Sequence, residues 1–161
     1  MTLSIRLAEP RDAALVLDFI EGLAAYEKLS HEVEADEAMV REALFGENPR
    51  AFCDIAEWSG EPAGFALWFY NFSTFRGRHG LYLEDLFVKP AFRGKGIGKG
   101  LLVQLAQRCV RENLGRFEWS VLDWNSPAID VYKSIGAKHM KEWQIFRMSG
   151  DALARFAGEP V

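Results

Sequence analysis

Residues 86–100 read Leu86-Phe87-Val88-Lys89-Pro90-Ala91-Phe92-Arg93-Gly94-Lys95-Gly96-Ile97-Gly98-Lys99-Gly100. An apolar run meets Pro90, passes through glycines at 94, 96, 98 and 100, and opens into Leu101, Leu102, Leu105, Ala106, Cys109 and Val110, which recur on one face of a helix. A strand that feeds a helix through such a loop is a site for an anion. The first N–H groups of a helix have no partner inside it and lie at the positive end of its dipole, and glycines let a phosphate approach them closely. A pyrophosphate suits the junction. The plainer reading of the same glycines is a turn without a ligand.

Two other phosphate loops do not match. A Walker A loop needs Ser or Thr after its Gly-Lys, whereas Gly96 and Gly100 follow Gly94-Lys95 and Gly98-Lys99. A dinucleotide G-x-G-x-x-G begun at Gly94 or Gly96 ends on Lys99 or Leu101, and no early strand–helix–strand unit surrounds it.

Outward from the loop, residues 81–88 predict the strand that leads into it, and residues 52–58 and 63–70 predict a hairpin around Ser59-Gly60-Glu61-Pro62. Nearer the start, residues 3–7 alternate as a short strand. Pro10 and the spacing of Leu15, Phe19, Leu23 and Tyr26 predict a helix, and Met39, Val40, Ala43 and Leu44 a second over 35–44. Beyond the loop, Gly115 is expected to cap its helix and residues 117–122 to form a strand. Ser126-Pro127 opens a short helix with Ile129, Val131, Tyr132 and Ile135 that Gly136 closes. Two last strands are expected over 139–143 and 144–148, then a tail with a short helix. No repeat or linker divides residues 1–161, so the order predicts one α/β (α+β) domain, a mixed, mostly antiparallel central sheet with helices on both faces.

The length, 161 residues, suits one domain, and 49% hydrophobic against 26% charged residues excludes disordered, collagen-like and disulfide-scaffold classes. Nineteen Lys and Arg against 23 Asp and Glu give a net charge of -4, which does not favour nucleic acid; a cationic partner fits the sign better, although mild acidity is also ordinary. The longest apolar run, 13–17, is far too short to span a membrane, and residues 1–6 contain no secretory segment, so a cytoplasmic protein without a membrane partner is expected. Cys53 and Cys109 stand alone and His31, His79 and His139 form no ligand-spaced pair, so packing thiols and no metal are expected.

Arg93-x-x-Gly96-x-Gly98 resembles the R/Q-x-x-G-x-G/A pattern of the GNAT superfamily of N-acetyltransferases. A second block, Asn125-x-x-Ala128-x-x-x-Tyr132-x-x-x-Gly136, is similar to the segment that completes those enzymes. Without the loop, Tyr132 would read as an ordinary core tyrosine with a satisfied hydroxyl. Ala25-Tyr26-Glu27, residues 81–88, Trp124-Asn125 and Glu142-Trp143 extend the resemblance over nearly the whole chain, to the diamine (spermidine/spermine) and thialysine acetyltransferase group.

That resemblance implies acetyl transfer from acetyl-CoA to a small cationic amine, in a homodimer. It implies coenzyme A contacts from Leu86, Phe87, Val88, Arg93, Gly94, Lys95, Gly96, Ile97, Gly98, Lys99, Asn125 and Tyr132. An alkylamine with a pKa near ~10 is almost wholly protonated at neutral pH and must lose a proton before attack. The resemblance assigns that proton to Glu84, acting through water, and the protonation of the leaving thiolate to Tyr132. It places Tyr26, Glu27, Glu84, Asp85, Glu118, Trp119 and Ser120 around the acceptor, with Glu27 and Asp85 holding its charge; an exposed acidic cluster is the simpler account of these carboxylates. A non-catalytic acyl-CoA sensor and a protein acetyltransferase are the competing functions.

Overall fold

Phe52–Trp58 and Glu61–Ser73 each alternate two sets of side chains, and in a computed structural model describing residues 1–160 each set meets its own layer of helices. The chain divides into two compact units, Met1–Ser120 and Val121–Val161.

In the first unit, β1 (Leu3–Leu7), β2 (Phe52–Trp58), β3 (Glu61–Ser73), β4 (Arg78–Val88) and β5 (Phe117–Trp119) lie side by side in that order. The first three pairings are antiparallel. β5 runs parallel to β4, as the crossover through α3 (Ile97–Arg111) requires. The β2–β3 turn is shorter than the sequence implies, because Ser59 and Gly60 both take positive φ and close a two-residue hairpin.

On one face, α1 (Ala13–Tyr26) and α2 (Glu37–Phe45) bring Val16, Phe19, Leu23, Val40 and Leu44 against Cys53, Ile55, Phe65 and Phe87. Phe19 stacks on Phe65 with ring centroids 5.2 Å apart; each such buried side chain contributes about 1.5–3 kcal/mol from apolar transfer. α2 begins two residues later than its periodicity implies, because Asp36 Oδ1 accepts from Met39 N and caps it. Asp54, between Cys53 and Ile55, must face the other way. There it accepts from Trp68 Nε1 at 2.7 Å and lies 3.8 Å from Arg108 of α3, whose guanidinium is 4.7 Å from the Trp68 ring centre. Burial pushes the Asp54 carboxyl up. α3 therefore docks on the sheet through one buried charge pair as well as through Leu101 and Leu105.

Arg6 ties the start of the unit together. It grips both oxygens of buried Asp12 at 2.7 and 3.0 Å and Glu57 of β2 at 2.9 Å, while Asp12 Oδ2 accepts from Glu9 N. The Arg6 guanidinium holds the Asp12 carboxyl below its usual range. Cys53 is buried, Cys109 is half-buried, and both are free thiols.

The second unit contains α4 (Ser126–Ser134) and α5 (Gly150–Ala157). α4 is capped by Asn125 Oδ1, which accepts from Ala128 N at 3.4 Å; the helix carries Pro127 in its first turn and ends before Gly136 at φ +89°. Three sequence expectations are corrected. The helix after the glycine loop ends at Arg111 with Asn113, not Gly115, in the left-handed region; Gly115 N instead donates to His79 O. β5 stops at Trp119, short of residue 122. Residues 139–148 form no strand among the described residues, since alternation sets a face but a strand also needs a neighbouring edge, and Trp143, Ile145 and Phe146 are exposed. No described helix is long and apolar enough to cross a membrane.

Candidate active site

The sheet opens beside the glycine loop. Among the described residues β5 pairs β4 only through Leu81, Tyr82 and Leu83, and no strand follows β4 from Glu84 onward on that side. Lys89 N donates to Ala63 O, and the two-residue alternation of an antiparallel ladder then turns Phe87 and Asp85 toward β3. Leu86 and Val88 turn their N–H and C=O groups to the open side. Of the three residues 86–88 expected to contact the cofactor, Phe87 thus packs in the core, and the backbone of its neighbours faces outward.

The loop is built for a guest. Gly94 and Gly96 take φ of +78° and +77°, a region that side chains disfavour. A Cβ added at either would meet nothing within 4 Å, so the space in front of the loop is clear. α3 begins without a side-chain cap, and its first backbone bond runs from Gly100 N to Gly96 O. The amides of Ile97, Gly98 and Lys99 therefore lie at the uncapped positive end of a long helix. The cradle fits a pyrophosphate such as that of coenzyme A.

Arg93, Lys95 and Lys99 bring positive charge to this loop. Arg93 Nε donates to Val88 O at 3.1 Å, and its guanidinium lies 4.9 Å from the Tyr26 ring centre and 5.8 Å from that of Phe87. Arg93 thereby braces the loop against both β4 and the end of α1. Lys95 lies 5.0 Å from the Phe92 ring and 5.6 Å from that of Trp58, a residue to which the loop motif does not point.

At the other side of the opening stand three carboxylates. β3 and β4 slip register between Leu67 and Trp68, which pair with Asp85 and Leu83, so Glu84 is the extra residue of a β-bulge. Glu84 is exposed and Asp85 half-buried. Burial, and then the charges of Glu84 and Glu27, push the Asp85 carboxyl up to about 6. Glu27 caps the C-terminus of α1, and burial raises its carboxyl too. Among the described residues none of the three pairs with Lys or Arg. Uncompensated negative charge in a partly desolvated recess favours a cationic guest.

On β5, Glu118 Oε1 lies 2.6 Å from Arg116 Nε and accepts from Asn71 Nδ2 at 3.1 Å. Trp119 pairs with Leu83, and Ser120 Oγ lies 2.7 Å from Tyr82 Oη. The contacts of Arg116 and Asn71 with Glu118, and of Tyr82 with Ser120, were not legible from spacing. Gly80, a glycine inside a strand, is the signal that something crosses close above it. Asn125 and Tyr132 belong to the second unit, two turns apart on one face of α4.

The model of the acetyltransferase (GNAT) family matches residues 17–137. The chain belongs to that family. As a GNAT protein it is an N-acetyltransferase. It is 40% identical to the thialysine N-epsilon-acetyltransferase of Sus scrofa, over 96% of this chain and 97% of that one. It is 31% identical to an L-ornithine N5-acetyltransferase of Arabidopsis thaliana, over 92% and 85%. Among solved structures, an integron cassette protein from the mobile metagenome of V. cholerae superposes with a TM-score of 0.82 at 29% identity, over 99% of both chains.

Proposed function

We propose that this GNAT protein transfers the acetyl group of acetyl-CoA to a primary amine of a small acceptor that carries a further charge, a polyamine, a diamine or a thialysine-like amino acid. The observation that carries the reading is the trio Glu27, Glu84 and Asp85, which have no basic partner among the described residues: Glu84 and Asp85 stand on the strand that leads into the glycine cradle, Glu27 ends α1, and the charges of Glu84 and Glu27 both act on Asp85. The family match from 17 to 137 spans the boundary between the two units and supports one functional domain.

The amides of residues 97–99, with the charges of Arg93, Lys95 and Lys99, would hold the pyrophosphate, and the open backbone of Leu86 and Val88 would lie along the rest of the cofactor. When bound, acetyl-CoA supplies an acetyl group activated as a thioester. One backbone N–H on the open side, that of Leu86 or of Val88, would donate to the acetyl oxygen as negative charge gathers there. Asp85 and Glu27, when ionised, pair with the acceptor's ammonium groups. Glu84 takes a proton from the reacting nitrogen through water, which its exposure at the bulge permits. Tyr132 Oη would give its proton to the leaving sulfur, and Asn125 orders the start of the helix that carries it. Tyr26 would line the acceptor side, whereas Trp119, paired with Leu83, faces the other side of the sheet. A cytoplasmic homodimer is part of the proposal; the exposed apolar residues Trp143, Ile145 and Phe146 support a second copy as partner, and the net charge of -4 turns nucleic acid and anionic membranes away.

The test is release of free thiol from acetyl-CoA with a panel of amines. Turnover with spermidine, diamines, ornithine or thialysine is expected. A protein that binds acetyl-CoA tightly but releases thiol with none of them, or one that prefers a neutral monoamine, would overturn the reading.

A further inference from the structure

The bulge at Glu84 decides which side chains share a face. Asp85 and Phe87 lie on the α1 side of β4, and without the extra residue Tyr82 and Gly80 would lie on the other. With it, Asp85, Tyr82 and Gly80 line one surface, together with their β3 partners Leu67, Phe69 and Asn71. The ring centres of Tyr82 and Phe69 are 5.2 Å apart on that surface.

At its far end lies a second charged group. The Arg116 stem crosses directly above Gly80, where a Cβ would come 2.9 Å from Arg116 Cγ and 2.5 Å from Asn71 Oδ1. Arg116 and Asn71 both address Glu118 Oε1 and leave Oε2 without a partner among the described residues. Asn71 Oδ1 is buried and accepts no hydrogen bond. Arg76 and Arg78 close in from the β3–β4 turn, since a Cβ at Gly115 would meet Arg76 Cδ at 3.0 Å and Arg78 Cγ at 3.3 Å. Arg78 donates to Asn113 at 2.7 Å, whereas the Arg76 guanidinium has no acceptor among the described residues. Arg116 thus pairs with one carboxylate at this end, with the stems of Arg76 and Arg78 close by at Gly115, and three unpaired carboxylates stand at the other.

We propose that Arg116, aided by Arg76, binds the α-carboxylate of an amino-acid acceptor, and that Glu118 Oε2 and Asn71 Oδ1 take its α-ammonium. The inference rests on the small-amine reading above and narrows it to an acceptor that carries a carboxylate. The reach agrees. Glu118 stands opposite Tyr82, two residues from Glu84, which is about 6.6 Å of strand; a side chain of five single bonds spans about 6 Å. The ω-amine of a lysine-like amino acid then lies at Glu84 and Asp85 while its zwitterionic head meets a zwitterionic pair. A plain diamine or polyamine would instead bring a second ammonium toward Arg116, with Arg76 close by.

Acceptor pairs that differ only at the head group test this. Wild-type protein is expected to prefer ornithine to 1,4-diaminobutane, and lysine to lysinamide, in kcat/KM. Arg116→Gln should shift both preferences toward the carboxylate-free partner by roughly ten- to hundredfold, the worth of one charge-assisted hydrogen bond. Arg116→Lys, which keeps the charge, should retain part of the preference, and Arg76→Ala should shift it in the same direction by less. If Arg116→Gln lowers turnover of both members of a pair equally, the residue is merely structural; if the wild-type protein favours the diamine, the carboxylate subsite is wrong although the small-amine reading stands. If neither member is acetylated, that reading falls and this one with it.

Discussion

Replacing Glu84 with Gln removes one proton acceptor and little else, because the side chain is exposed at the bulge and the amide has the same shape. A primary alkylamine of pKa about 10.4 is free base at pH 7 in only about one molecule in 2,500. An enzyme with a general base uses the protonated majority, since the proton passes to Glu84 after binding; the variant must wait for the rare free amine. The loss at pH 7 should therefore fall in the range of about 10² to 10³, within what general bases contribute. The variant's rate should then climb about tenfold per pH unit toward the pKa of the amine. The wild-type rate should stay flat over the same interval and fall only at its acid end. That limb follows from Asp85, whose carboxyl is pushed up to about 6: it holds an ammonium only when ionised, so the acceptor KM rises as the pH drops below that value. Glu27→Gln should raise the acceptor KM without creating the alkaline slope. Initial rates of thiol release at saturating acetyl-CoA, taken from about pH 6 to pH 10, separate these cases. Parallel profiles for wild type and Glu84→Gln, at whatever relative height, would refute Glu84 as the base.

Gly98 has no positive φ, and the space beside its Cα is open save for Val88 Cγ2 at 3.8 Å from an added Cβ. Gly98→Val should fold normally and raise the apparent KM for acetyl-CoA on the order of tenfold or more by filling the cradle; unchanged cofactor affinity would remove the loop from the cofactor site. Tyr132→Phe should lower kcat by about 10² to 10⁴ with acetyl-CoA binding nearly intact, as loss of a general acid requires. Normal turnover would assign that proton to another group. Asp12, held below its ordinary range by Arg6, stabilises the folded state above its unfolded value near pH ~3.9 and loses that contribution as the pH falls through its lower folded value. Unfolding free energies from urea titration of wild type and Asp12→Asn should differ by about 1–3 kcal/mol at pH 7 and converge in acid; a constant gap would contradict the Arg6 clamp.

The glycine cradle was legible because its constraint is local: positive φ at 94 and 96 and an uncapped helix start are properties of consecutive residues. The same holds for α4, where Asn125, Pro127 and Gly136 mark both ends within one short segment. Residues 139–148 are the converse case, since their apolar pattern says nothing of whether an edge is there to pair with. The bulge lies between these extremes. Leu81 and Leu83 occupy odd positions while Leu86 and Val88, on the α3 side with them, occupy even ones, and that break in alternation falls on Glu84 and Asp85. Read as one strand, residues 81–88 look merely apolar with two acids in the middle. Read for parity, they contain one residue too many, and its insertion does three things at once. It exposes Glu84 and turns Asp85 onto the surface of Tyr82 and Gly80 while Leu86 and Val88 keep their backbone to the open side. Deleting the extra residue would restore regular alternation and strengthen the sheet, yet it would return Asp85 and the Arg116 cluster to opposite faces; an irregular β4 is the structural condition for holding one small acceptor by both ends.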